Sequence, residues 1–308
     1  QLTQRRLRTP RPPLKDRSLV ERNVHYLYVE IFWAAIFSAV FTFNTTYALR
    51  LGATNQMVGW LSSIPSFFAM FMMVPVARFL ERRTDRYTWT NGALALGRFG
   101  FLAAAFIPWL FPRHAAEAVV ILFIARTIPI TFFNTGFSPM LADVIPERDR
   151  SRVFANRNII LSATTAVVTF ISGEWLDAAQ SWSWAAFPFN YQLLYVVGGL
   201  SALLSAYFVT RIQPPPLKSS REGAKAPAEL MTWQRLKGAT SALLAERRDF
   251  ALIIVNTLVF NLGAWLVMPL YMTFFVRQLS ASDSWVGLNT TLANVGVIVG
   301  YALWRRWI

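Results

Sequence analysis

Residues 76–89 read VARFLERRTDRYTW, a run in which Arg78, Glu81, Arg82, Arg83, Asp85 and Arg86 crowd between two long apolar segments. A connection this short and this charged must end one helix, expose its polar backbone to water and start the next. Working outward, the same alternation repeats along the 308 residues: charges gather in short clusters, and apolar runs of about 20 residues, the length that crosses a ~30 Å hydrocarbon core, separate them. The chain is 55% hydrophobic with mean hydropathy +0.38, and its apolar runs are hydrophobic all round rather than amphipathic. The fold class this predicts is an all-α polytopic membrane protein. Eight stretches have the required length, at about 26–48, 56–78, 89–111, 116–142, 154–176, 189–211, 250–274 and 284–307. Arg126, Pro129 and Pro139 interrupt the fourth.

Charge placement tests the count, because Lys and Arg concentrate in connections on the cytoplasmic side. Of the 30 basic residues, only Arg50, Arg98, Arg113, Arg126 and Arg277 fall outside the N-terminal tail, loops 2–3 and 4–5, the 211–248 segment and the C-terminal Arg305-Arg306. Arg157 is counted with loop 4–5. One topology with both termini cytoplasmic explains that distribution. It also explains the net charge of +14 and the pI near 10.8 without a nucleic-acid partner. The absence of Cys excludes disulfides and thiolate metal sites. His25 and His114 lie too far apart for a local metal motif, and the chain has no P-loop, no His-Glu-x-x-His and no Gly-x-Ser-x-Gly. Neither enzyme activity nor a cofactor or metal is expected. No cleavable signal peptide is visible, since the first apolar run follows a 25-residue basic tail and is long enough to remain as a span.

The organisation reads as a basic tail (1–25), six spans (26–212), a Pro-, Ser- and Lys-rich cytoplasmic linker (213–248) with a short amphipathic surface helix at about 227–246, and two further spans (249–308). The pattern begins again after the linker. Leu51 and then VGWLSSIPSFFAMFMMVPVARFLERR at 58–83 meet Leu279 and then VGLNTTLANVGVIVGYALWRRWI at 286–308, at a constant offset of 228 that carries Arg78 onto Arg306.

On these residues the chain resembles the major facilitator superfamily of transporters, whose plan is two six-helix halves joined by a long cytoplasmic segment. The family signature in loop 2–3, Gly-x-x-x-Asp-Arg-x-Gly-Arg-Arg or similar, falls on Ala77 to Arg86. Arg82 and Arg86 are kept, while Ala77, Glu81 and Thr84 depart from it. A related loop 4–5 pattern runs from Asp143 through Pro146, Arg148 and Arg150 to Arg152, with Ser151 replacing Gly. The resemblance implies twelve helices, hence about four beyond Ile308. It also implies that Glu81, Arg82 and Arg86, with Arg150 and Arg152, clasp neighbouring helix ends as a conformational latch. A cavity lined by helices 1, 4, 7 and 10 is the family's substrate site.

Ionisable and aromatic residues inside spans are the candidates for that cavity. Helix 1 offers Glu30, Trp33, Phe37, Phe41 and Asn44 on roughly one face. Helix 3 offers Arg98, helix 4 offers Arg126 and Asn134, and helix 7 offers Asn261 and Trp265. The offset of 228 places Asn261 on Trp33 and Trp265 on Phe37. Arg126 fits an anionic group or an acidic partner, and Glu30 with Arg126 is the pair that proton coupling would use. Helix 5 has the single glycine Gly173 and lacks the Gly-Pro pattern of drug/proton antiporters. The reading is a secondary active transporter moving a small solute by alternating access in the inner membrane, with membrane lipids as surroundings and a bacterial source expected. The alternative is a transporter-like scaffold subunit of a larger membrane complex, pigment-associated or otherwise, which the 25 Phe and 12 Trp would suit.

Overall fold

The computed structural model of the protein describes residues 18–213 and 248–307, and among them every regular element is helical. The basic tail before residue 18, most of the linker and its expected surface helix lie outside the described residues. Helix α1 (Leu19–Phe41) opens with a capping box in which the Ser18 hydroxyl accepts from the Glu21 amide and the Glu21 carboxylate accepts from the Ser18 amide. The span continues through α2 (Asn44–Arg50). It is followed by α3 (Asn55–Glu81), α4 (Arg86–Ala103), a 3-10 turn (Ala104–Phe106), α5 (Ile107–Leu110), α6 (Ala115–Ala125), α7 (Thr127–Val144), α8 (Glu147–Gln180), α9 (Phe189–Thr210), α10 (Arg248–Arg277) and α11 (Asp283–Trp307).

The breaks have local causes. Pro108 cannot donate to the carbonyl of Ala104, and the chain tightens there into the 3-10 turn. Pro129 likewise cannot donate to Ala125, and α6 gives way to α7 at Arg126. Six helical stretches among the described residues are long and apolar enough to cross a membrane: Leu19–Arg50, Asn55–Glu81, Arg86–Leu110, Ala115–Val144, Glu147–Gln180 and Phe189–Thr210. The stretches 250–274 and 284–307 lie in α10 and α11.

The chain forms two compact units, residues 1–215 with 281–308, and residues 216–280. In the first, α1 packs on α8 and α9, α4 on α7 and α9, α3 on α6 and α7, and α11 on α8. Its outside carries apolar side chains such as Phe67, Met70, Phe71, Phe99 and Ile121, as lipid contact requires. Inside, small residues let backbones approach. A Cβ on Gly199 of α9 would stand 2.8 Å from the Leu102 Cα, and one on Gly198 2.8 Å from the Val40 Cβ. In the second unit, α10 is a 30-residue helix.

The repeat is written into the backbone. Gly52 has φ 99° and Ser280, at the offset of 228, has φ 50°. The Thr54 hydroxyl accepts from the Met57 amide at 3.3 Å, and the Ser282 hydroxyl accepts from the Trp285 amide at 3.2 Å. Helices α3 and α11 begin at Asn55 and Asp283, again 228 apart, and Val58 and Val286 are both buried.

Candidate functional site

Residues of the first span divide between two polar centres. Glu30 is 3% exposed, and its carboxylate receives Arg157 from α8 at 2.8 Å and the Ser205 hydroxyl from α9 at 3.1 Å. Arg157, itself 6% exposed, also donates to the Leu27 carbonyl at 2.5 Å. This is a tie between α1, α8 and α9. The partner of Glu30 is therefore Arg157 and not Arg126, so the pairing that the sequence suggests for proton coupling is replaced. Arg157 was legible as more than a loop charge, because it falls inside the predicted span 154–176, where a cation needs a partner.

The second centre is cationic and aromatic. Arg98 of α4 and Arg126 at the α6–α7 break are both 8% exposed. The Arg98 guanidinium lies 3.9 Å from the centre of the Phe37 ring, and Arg126 lies 5.6 Å from Phe37, 5.2 Å from Phe41 and 5.2 Å from Phe101. Arg126 Nε donates to the Gly97 carbonyl at 3.4 Å. Among the described residues neither guanidinium is within ion-pair distance of a carboxylate, and the buried Nε and Nη1 of Arg98 have no hydrogen-bond acceptor. Ring faces soften the desolvation of these cations but do not neutralise them.

Arg126 opens on a cavity of about 560 Å³, walled also by Phe41, Asn44, Ser62, Thr131 and Asn134. Proline and its neighbours shape it: Pro65 stands inside α3 with no amide to donate, and Thr131 turns its hydroxyl back to the Thr127 carbonyl at 2.8 Å. Asn44 is held from behind by the Tyr195 hydroxyl at 2.7 Å, within a buried aromatic stack of Tyr195, Phe101 and Phe123. Of the predicted cavity residues, Asn44, Arg126 and Asn134 line it, Phe37 stands behind it against the two arginines, and Trp33 packs edge-on against Phe32 at 5.5 Å. Glu30 is not a wall residue. Asn261 of α10 bonds its own helix, donating to the Thr257 carbonyl at 2.7 Å, and the Trp265 side chain is outside the described residues.

At the arginine-rich end, Arg86 at the start of α4 meets Asp143 near the end of α7 at 2.6 Å, and the Tyr87 hydroxyl donates to the same carboxylate oxygen at 2.7 Å. Arg150 caps the same helix end, donating to the carbonyls of Ala142 at 2.7 Å and Ile145 at 3.1 Å. Glu81, Arg82 and Arg152 are exposed beside this cluster. The aromatic neighbours Phe79 and Trp89 instead hold Arg83, at 5.0 and 5.6 Å. Of the five latch candidates, Arg86 and Arg150 thus converge on the end of α7, Arg86 through the Asp143 carboxylate and Arg150 through the carbonyls of Ala142 and Ile145.

The Major Facilitator Superfamily model matches residues 26–308. The fold is similar to the crystal structure of a bacterial homolog to the human lysosomal transporter Spinster, in an inward-facing and unoccupied conformation. The TM-score is 0.63 and the identity 13%, over 95% of this chain and 64% of that one. The chain thus spans less than two thirds of that structure's length. No curated protein matches the chain.

Proposed function

The chain belongs to the major facilitator superfamily, and from that premise we propose that it is part of a secondary active transporter that carries a small anionic solute by alternating access. The observation that carries the reading is the pair Arg98 and Arg126, two buried cations around Phe37 with no carboxylate within ion-pair distance among the described residues; Glu30 acts on Arg98 from beyond that distance, and Arg126 opens on the 560 Å³ cavity. A buried charge left without a counterion is expensive, and a ligand that supplies the counterion recovers that cost on binding. Phe41 beside Arg126 favours an anion with a flat or apolar body, and Asn44, Thr131 and Asn134 offer it polar contacts.

Within this reading, residues 26–212 form the N-terminal bundle, 213–248 a cytoplasmic linker and 249–308 the beginning of a second bundle, in a multi-pass protein of the inner membrane. Arg86, Arg150 and Asp143 hold the arginine-rich end together, with Glu81, Arg82 and Arg152 available to a neighbouring helix end. A proton-coupled cycle would require Glu30 to exchange Arg157 for a proton, and uptake unchanged by collapse of the pH gradient would remove that step.

The test uses matched probes on the full-length protein in mild detergent. Benzoate is expected to raise the thermal unfolding midpoint, with benzamide and benzylamine leaving it in place, and Arg126→Gln is expected to abolish the benzoate effect. Equal stabilisation by benzamide, or an undiminished benzoate effect in Arg126→Gln, would refute the anionic site.

A further inference from the structure

The end of the first unit opposite the arginine-rich loops carries a second polar cluster that the solute site does not use. Asp283, the first residue of α11, is 0% exposed. Its Oδ1 receives the Tyr191 hydroxyl of α9 at 2.6 Å and the Arg50 Nε of α2 at 3.3 Å, and its Oδ2 lies 3.2 Å from the same Nε. Behind it, the Asp177 carboxylate at the end of α8 accepts from the amides of Asp283 and Ser284, at 2.9 Å each. That carboxylate caps α11 from another helix, at the end where the helix dipole is positive.

The backbones meet at the same place. A Cβ on Gly173 of α8 would stand 2.8 Å from the Asp283 carbonyl, and one on Gly287 2.8 Å from the Thr169 carbonyl. One further hydrogen bond, from the Thr291 hydroxyl to the Ala166 carbonyl at 2.9 Å, completes the contact. Among the residues of α11 whose burial is described, Asp283, Val286 and Gly287 are buried, and from Leu292 to Gly300 none is. The helix is therefore fastened to the six-span bundle at its first turns.

We infer that Arg50, Tyr191 and Asp283 form a clasp on the face opposite the arginine-rich loops, and that this clasp parts before the solute cavity opens to that face. The inference rests on the alternating-access reading above. Three features suit the cluster to opening and closing. The partners come from two halves of a repeat, Arg50 and Tyr191 from the first six spans and Asp283 from the second copy, so a motion of one half against the other would bear on this contact. Arg50 keeps 29% of its side chain exposed and lines a cavity of about 440 Å³, so its guanidinium has water to return to, whereas Asp283 has none. At the equivalent place in the first copy the sequence has Asn55, so the carboxylate belongs to α11 alone. A charge-assisted pair assembled from two moving parts biases one arrangement by its differential contacts, which is the requirement for a two-state gate.

These 308 residues contain no cysteine, so a Ser62→Cys reporter in the cavity wall is read in the full-length protein with any cysteine elsewhere in it replaced by Ser. Its modification by a membrane-impermeant methanethiosulfonate is measured from each face separately, in intact cells and in inverted vesicles. Asp283→Asn and Arg50→Gln are expected to speed modification from the face opposite the arginine-rich loops by about fivefold or more. The exchanged pair Arg50→Asp with Asp283→Arg is expected to slow it again, which a variant that merely fails to fold could not do. A reporter reached from both faces in the native protein, yet unchanged within about twofold in the single variants, overturns the clasp and leaves alternating access standing. Equal acceleration from both faces, unrelieved by the exchange, also overturns it, because that is loosening of the bundle. A reporter reached from one face only in every variant overturns the clasp and the alternating-access reading together.

Discussion

Replacing Arg157 by Met tests the tie that holds α1 to α8 and α9. The side chain is 6% exposed and makes two directed contacts, to the Glu30 carboxylate and to the Leu27 carbonyl, with the Phe137 ring 5.8 Å away. Met fills much of its volume but leaves Glu30, 3% exposed, with the Ser205 hydroxyl as its remaining described partner. Removing one member of a buried pair costs about 3–5 kcal/mol, because the other charge stays behind. At about 2–4 °C per kcal/mol for a domain of this size, the thermal midpoint should fall by about 6–20 °C. Glu30→Gln, which keeps a neutral acceptor for Arg157 and Ser205, should cost less than Arg157→Met. The double variant Glu30→Leu with Arg157→Met removes both charges and should lie within about 2 kcal/mol of the native protein, since apolar replacement of a whole buried pair is often near neutral. The assay is thermal unfolding in mild detergent followed by tryptophan fluorescence across the native protein, Glu30→Leu, Arg157→Met and their double variant, with Glu30→Gln measured beside that cycle. Two results would refute the reasoning: a loss below about 1 kcal/mol for Arg157→Met, or a double variant as unstable as the sum of the singles. Either would mean that the pair is not the tie it appears in the geometry.

Two further outcomes follow from the packing and the latch. Gly199→Val should destabilise by about 1–3 kcal/mol or more, because its new side chain would meet the Leu102 Cα at 2.8 Å and backbone cannot step aside, so lower thermal midpoints and poorer yield of folded protein are the readout. Asp143→Asn should cost only about 1 kcal/mol in the same assay, since the Arg86–Asp143 pair is about a fifth exposed and the amide still accepts from Tyr87.

Much of the architecture was legible because lipid imposes it on the chain directly. A span must be long, apolar and helical whatever it packs against, so its place can be read without its neighbours. The six membrane-length helices Leu19–Arg50 through Phe189–Thr210 cover the first six predicted spans, and the proline-interrupted fourth breaks at Arg126. The candidate site was less legible, because burial and exposure do not fix a partner. Glu30, Arg98, Arg126 and Arg157 all stand inside spans and all needed partners. Choosing Arg157 for Glu30 depended on which faces of α1 and α8 meet, a property of packing that no local spacing states. Asp283 was invisible for a different reason. It sits at a helix start, where a carboxylate is ordinary, and only the approach of Arg50 and Tyr191 from other helices makes it a buried charge with a task.

The repeat shows how far local chemistry can reach across such a gap. At the offset of 228, Leu51-Gly52-Ala53-Thr54-Asn55 stands on Leu279-Ser280-Ala281-Ser282-Asp283. Both copies turn through a positive φ and cap the next helix with a hydroxyl on the amide three residues on, and both bury the following Val. Ser280 tolerates with strain what Gly52 adopts without it, so the turn has been kept while its most suitable residue has not. What differs between the copies is the two ends of the same motif: Gln278 stands where the first copy has Arg50, and Asp283 where it has Asn55. The first copy thus retains the cation and the second holds the anion, and neither could make the ion pair within itself. With the first copy's residues in both halves, the same contact would set Arg against Asn and would carry no ion pair. Divergence at these two positions is what gives the halves a charge-complementary contact, and it leaves the turn, the cap and the helix start intact.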